Sequence, residues 1–297
     1  MATWKGKTRG NPLGYKIFIF LLKHPGLSVA YFALNFVTVY FFLFSTISFK
    51  SLYFFYRRIL AYGKLKSVFS IFYNFKCFGK VLLDKTASMA GFKTKFTFRF
   101  DGEEHLLKMA QETGGLLISA HIGNFEMAGN MLNRIKTRVN MVILDAENEK
   151  IKNLLNPLLR KTVNLIPIKK DLTHLFLINQ SIVNKEIVCI NGDRFIEGER
   201  TIEAQFMGKS ALFPAGPFIL ALSFEIPVSF VFAMKEKHFR YHFFATPSKI
   251  YTTINNRKNR NDEIREIVND YIAQLERMLT LYPLQWFNHY PFWKEQL

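Results

Sequence analysis

From Pro25 to Phe49 the chain runs for 25 residues, PGLSVAYFALNFVTVYFFLFSTISF, without a charged side chain, between Lys23 and Lys50. Such a run can cross the hydrocarbon core of a bilayer as a helix, with Pro25 and Gly26 as its opening. A buried helix of a water-soluble fold passes the same length rule. The surroundings favour the membrane: Tyr15-Lys16-Ile17-Phe18-Ile19-Phe20-Leu21-Leu22-Lys23 precedes the run, and Tyr53, Phe54, Phe55, Tyr56, Arg57 and Arg58 follow it. Apolar, aromatic and basic side chains together suit a membrane interface. Lys and Arg flank both sides, so charge gives no orientation. The expectation is an anchor helix at about 25–49, with monotopic insertion and crossing both open.

Charge supports this division of the chain. Of the formal +17, residues 1–100 carry 16 Lys+Arg against one acid, Asp84, while residues 101–297 carry 24 against 22. Anionic lipid, an acidic carrier protein and nucleic acid are all attracted to such a surface. Nucleic acid leaves the uncharged run unexplained and is not expected as a partner. Two cysteines, Cys77 and Cys189, are too few for a disulfide framework or a cysteine zinc cluster. No cleavable signal peptide is read at the start, so the catalytic part is expected in a reducing, cytosol-facing compartment.

Beyond residue 100, short apolar runs alternate with helix-length segments, the pattern of an α/β domain with a largely parallel sheet flanked by helices. Strands are expected near 96–100, 115–120, 139–145, 163–168, 186–191, 227–234 and 238–245. Helices are expected near 104–112, 124–135, 147–160, 171–184, 215–224 and 261–281. The organisation expected is a membrane-associated, basic and aromatic region over 1–100 and an α/β domain over 101–297.

In open α/β sheets the working crevice lies beyond the carboxyl ends of the strands, and two polar clusters fall there. The first is Ser119-Ala120-His121-Ile122-Gly123-Asn124-Phe125-Glu126. With His121 in the turn and Glu126 in the first turn of a helix, the carboxylate can fix the imidazole tautomer and leave one ring nitrogen to take a proton from an alcohol. A structural histidine beside a solvated helix-start glutamate has the same spacing. A metal site is not expected, for want of nearby Cys or further His. The second cluster is Asn191-Gly192-Asp193-Arg194-Phe195-Ile196-Glu197-Gly198-Glu199-Arg200, where Arg194 or Arg200 could bind phosphate or carboxylate. Its alternative is an exposed loop of mutually neutralising charges.

These segments, in order, resemble a known family. His121 to Glu126, Gly192-Asp193-Arg194, Phe206 and Gly208, Phe213 to Pro217, Pro227-Val228 and the closing Pro283-Leu284-Gln285-Trp286-Phe287-Asn288 look like the bacterial lipid A biosynthesis (lauroyl/myristoyl) acyltransferases. The aromatic and basic start, with Trp4, Gly6, Arg9 and Gly10, fits a branch of that family.

The resemblance implies a glycerolphosphate-acyltransferase-like fold at the bacterial inner membrane. It implies transfer of a fatty acyl group from an acyl carrier protein or coenzyme A thioester to a hydroxyl of a membrane glycolipid. His121 of the H-x4-acid motif is implied as general base, with Glu126 as its partner. Gly123, Asn124, Asp193 and Arg194 are expected in substrate binding, and for direct transfer backbone N–H groups near Gly123, together with Arg194, are expected to meet the oxyanion. The wider glycerolipid acyltransferases carry a Glu-Gly-Thr-Arg turn; Gly192-Asp193-Arg194 matches it in register, and Glu197-Gly198-Glu199-Arg200 in letters except for Glu in place of Thr. Asp193 and Arg194 are preferred, with Glu197 and Arg200 as the alternative. A thioester brings its own leaving group, so no metal or cofactor is implied. A non-catalytic membrane adaptor and an acyl-thioester hydrolase are the competing readings. The closing aromatics Trp286, Phe287, Tyr290, Phe292 and Trp293 read equally as acyl-channel wall, interface anchors or core.

Overall fold

The computed structural model describes residues 12–24, 26–92, 94–124, 127, 137–144, 164–168, 171–253 and 260–296. Trp4, Gly6, Arg9 and Gly10, Glu126, and the helices expected near 124–135 (Asn124 and Met127 apart) and 147–160 lie outside the described residues.

The long apolar run folds as two helices. Helix α2 (Leu27–Phe44) ends at Ser45, where φ −93° and ψ 68° leave the helical region, and α3 (Thr46–Phe54) begins directly after it. Leu27, Ala30, Tyr31, Leu34 and Thr38 form the buried side of α2, while Phe32, Phe36, Val39, Tyr40 and Leu43 stand on the opposite, exposed side. By length and composition α2 alone among the described helices suffices to cross a membrane. Helix α1 (Pro12–Lys23) precedes it. After α3 the helix widens into a π-type turn (Phe55–Ile59), and α4 (Lys64–Met89) returns antiparallel to α2. Leu34 lies against Gly79, where an added Cβ would come within 2.4 Å of the leucine, and the rings of Phe42 and Phe72 are 5.7 Å apart.

Strand β1 (Thr97–Asp101) and helix α5 (Glu103–Glu112) lead into β2 (Gly115–Ser119), β3 (Val139–Leu144) and β4 (Asn164–Ile168). Then come α6 (Thr173–Val183), β5 (Ile187–Asn191), β6 (Thr201–Phe206), β7 (Lys209–Pro214) and α7 (Gly216–Phe224). Last are β8 (Pro227–Lys237), β9 (Arg240–Ala245), β10 (Lys249–Ile250) and α8 (Arg260–Leu281). The main sheet runs β1-β9-β8-β2-β5-β3-β4, with β10 on β8; only the β8–β9 and β8–β10 pairs are antiparallel. This is the expected α/β architecture. A hairpin of β6 and β7 was not expected. It stands apart as a two-stranded sheet, joined by Met207 and Gly208, both at positive φ as a tight two-residue turn requires.

One face of the sheet, through Leu116, Ile118, Val188, Val228 and Phe230, packs on Ile264, Val268, Tyr271 and Ile272 of α8. The same core takes in Leu52, Phe55, Tyr56, Ile71 and Phe75 from before residue 100. It also holds the closing aromatics: Trp286, Phe292 and Trp293 are buried among Phe206, Phe213 and Phe55, so these three are core side chains.

Asp84, the one acid of the first hundred residues, sits wholly buried on α4. Its carboxylate receives Lys235 Nζ of β8 at 2.5 Å and the hydroxyls of Tyr31 and Tyr241. Desolvation raises the Asp84 pKa against the opposing pull of Lys235 and the hydroxyl donors.

Candidate active site

Strands β2 and β5 are parallel neighbours in register, with Ser119 opposite Asn191, so the turns after them emerge side by side. The Ser119 carbonyl ties the turns together by accepting from Gly192 N–H at 2.8 Å and from the Tyr271 hydroxyl at 3.0 Å. Two residues on, His121 and Asp193 meet. His121 Nδ1 lies 2.8 Å from Asp193 Oδ1, and the His121 backbone N–H donates to Asp193 Oδ2 at 2.9 Å.

The closing segment completes this arrangement. Ile122 forms a β-bridge with Trp286, Phe287 N–H donates to the His121 carbonyl at 3.1 Å, and Gly123 N–H donates to the Gln285 carbonyl at 3.2 Å. Asn288 follows, giving its Nδ2 to Asp193 Oδ2 at 2.8 Å and accepting from Arg194 Nε at 2.6 Å. Arg194 Nη2 also donates to the Phe287 carbonyl at 2.9 Å, and its guanidinium lies 5.9 Å from the Tyr290 ring centre. Helix α4 braces the same segment: Asn74 Nδ2 donates to the carbonyls of Leu284 and Trp286, and Asn74 Oδ1 is 2.8 Å from His289 Nε2.

Asp193 is completely buried and would on that account resist ionisation. The charge and hydrogen bond of His121, the Arg194 guanidinium and the Asn288 amide outweigh burial and hold its carboxyl below the ordinary value. Burial lowers the Arg194 pKa despite Asp193. An ionised Asp193 can only accept, so the Nδ1 proton belongs to His121 and Nε2 is the basic ring nitrogen. The imidazole keeps a quarter of its surface exposed.

The other expected site residues divide by position. Gly123 sits at φ +61°, and a Cβ there would fall 2.1 Å from the Ala233 carbonyl oxygen, so the turn needs glycine. Gly123 N–H is committed to Gln285, and Asn124 N–H to the Ala233 carbonyl at 2.7 Å. Neither of these two N–H groups is therefore placed to meet an oxyanion, contrary to the expectation from the turn. Asn124 is buried, its side-chain amide donating to the Val81 carbonyl and the Tyr241 hydroxyl, which locks the turn to α4 and β9. Glu197 and Arg200 are exposed on the loop before β6, and Arg200 Nη2 donates to Asn261 Oδ1. Asn288 was missed as a site residue; a lone amide inside the aromatic run Trp286 to Trp293 is the signal that marks it.

On the face of the sheet opposite α8 lies a small cavity of about 50 Å³, lined mainly by apolar side chains such as Leu106, Leu117, Met141, Val231 and Phe243, with Asp101, Glu103, Ser119 and Asn191 also in its wall. Ser119 Oγ and Asn191 Oδ1 are buried without a hydrogen-bond partner among the described residues.

Residues 77–295 match the family model for the bacterial lipid A biosynthesis acyltransferases. No curated protein sequence matches. One solved structure that the chain resembles is the 1-acyl-sn-glycerophosphate (LPA) acyltransferase PlsC from Thermotoga maritima, at 10% identity and a TM-score of 0.35, covering 82% of this chain and 98% of that one. The family match takes in every residue of the His121–Asp193–Asn288 arrangement, and the chain belongs to the bacterial lipid A biosynthesis acyltransferase family.

Proposed function

We propose that this protein is an O-acyltransferase that moves a fatty acyl chain from an acyl carrier protein or coenzyme A thioester to a hydroxyl of a membrane glycolipid resembling a lipid A precursor. It works at the cytoplasmic face of the bacterial inner membrane. The observation that carries this reading is the 2.8 Å contact between a partly exposed imidazole and a buried carboxylate at the sheet mouth, in a chain of this family.

Nε2 of His121 takes the proton of the acceptor hydroxyl as that oxygen bonds to the thioester carbonyl carbon. Asp193 stabilises the imidazolium that forms. The tetrahedral intermediate collapses with cleavage of the C–S bond, and His121 returns the proton to the departing thiolate, leaving an ester and a free thiol. Glu126 of the H-x4-acid motif is read from the sequence alone as a further acidic partner of His121.

The test is turnover by purified protein in detergent, with labelled acyl carrier protein or acyl coenzyme A and total membrane lipid, resolved by product. His121→Ala is expected to lower formation of acylated lipid by about 10²–10⁴-fold while the protein stays in the membrane fraction. Undiminished activity removes the mechanism. Release of free fatty acid without acylated lipid makes the protein a hydrolase instead.

A further inference from the structure

Near the N-terminal end of α2, with neither His121 nor Asp193 in its lining, lies an open cavity of about 220 Å³ lined by Ser28, Tyr31, Asn35, Lys76, Lys80 and His238 among others. Its charged lining residues are basic. The nearest acid, Asp84, is withdrawn, its two oxygens already held by Lys235, Tyr31 and Tyr241. Lys76 and Lys80 are four residues apart on one helix, a like-charge spacing that destabilises a helix unless something neutralises it. Desolvation, followed by the charges of Lys76 and Lys235, holds the Lys80 pKa below its usual value. Its ammonium lies 5.2 Å from the Tyr31 ring centre. A bound anion would relieve each of these costs.

The surface leading into the cavity tells what carries the anion. Along α4, the exposed Leu65, Phe69 and Tyr73 share a face with Lys76 and Lys80, at spacings of four, eight, eleven and fifteen residues from Leu65. Along the antiparallel α2, the exposed face of Tyr40, Phe36 and Phe32 leads the same way, and Phe32 forms part of the cavity wall. A greasy two-helix surface that ends in a cationic recess fits an amphiphile with an anionic head.

We infer that the recess between α2 and α4 binds the phosphate group of a membrane phospholipid through Lys76 and Lys80, with the lipid's chains laid along the exposed aromatics of both helices. This rests on and deepens the membrane-surface part of the function proposed above, and adds a lipid site whose lining includes neither His121 nor Asp193.

The experiment uses the full chain in detergent micelles and measures its affinity for dihexanoylphosphatidic acid and for inorganic phosphate. Lys76→Gln/Lys80→Gln is expected to weaken the short-chain lipid about 30-fold, equivalent to ~1 kcal/mol per lysine near a membrane surface. Lys76→Arg/Lys80→Arg, which keeps the charges, is expected to retain binding, and matching melting curves show that all variants are folded. Inorganic phosphate, having no chains, is expected to bind the wild type at least tenfold more weakly than the lipid. Equal lipid affinity in wild type and the glutamine variant overturns the site. Inorganic phosphate binding as tightly as the lipid overturns the assignment to phospholipid. A protein that binds the lipid through these lysines but transfers no acyl group keeps this inference and refutes the enzymatic one.

Discussion

Asp193 stays ionised although no part of it reaches solvent, because His121, Arg194 and Asn288 surround it with positive charge and donors. Its folded pKa is depressed, so its stabilisation is complete above the unfolded value near ~4 and is lost as pH falls through the folded one. Melting temperature followed from pH 7 to pH 2 is expected to fall in the wild type below about pH 4, and Asp193→Asn to lack that component. The same variant tests the catalytic role. With amide in place of carboxylate, the imidazolium loses its counter-charge, and turnover is expected to drop at least 10²-fold. Glu126→Gln, assayed beside it, separates the two carboxylates: an equal or larger loss there makes Glu126 the principal partner. His121 and the Gly192-Asp193-Arg194 turn were legible because both follow apolar runs that end in polar residues. Pairing of Asp193 with His121 was not, since a one-dimensional reading favours a partner five residues away over one 72 away.

At the level of elements, periodicity and strand-end punctuation gave most of the fold: every strand expected after residue 95 lies within a few residues of an observed one. The β6–β7 hairpin was not expected, because Phe206 and Gly208 also fit the family pattern as isolated motif residues. The alternation in Thr201–Phe206 and the Met207-Gly208 turn were sufficient signals. The anchor helix came out as two because hydropathy does not register the break at Ser45. The Asp84–Lys235 pair joins α4 to β8 and had no signature in sequence, since its partners are 151 residues apart. Asp84→Ala strands the Lys235 ammonium in the interior and is expected to cost ~3–5 kcal/mol in denaturant unfolding. Asp84→Leu combined with Lys235→Met removes both charges and is expected to recover most of that loss.

For the molecule as a whole, the uneven charge and the uncharged run led to the expectation of a face for the bilayer, and Phe36, Tyr40 and Phe44 stand exposed together on α2. Phe36→Asp with Tyr40→Asp places two charges on that face. The share of protein recovered in the soluble fraction after cell lysis is expected to rise at least tenfold, each aromatic contributing about 1.5–3 kcal/mol when buried in lipid. An unchanged distribution means that another surface holds the protein to the membrane. Helix α4 gives this face a further meaning. Its 26 residues span roughly 39 Å, with Leu65, Phe69 and Tyr73 on its outer side, and Asn74 clamps it to the closing segment at Leu284 and Trp286 while the Val81 carbonyl clamps it to the His121 turn through Asn124. Under the proposed function, such a strut would set the height of the imidazole above the lipid headgroups, and an acceptor would be selected partly by how far its hydroxyl rises out of the membrane.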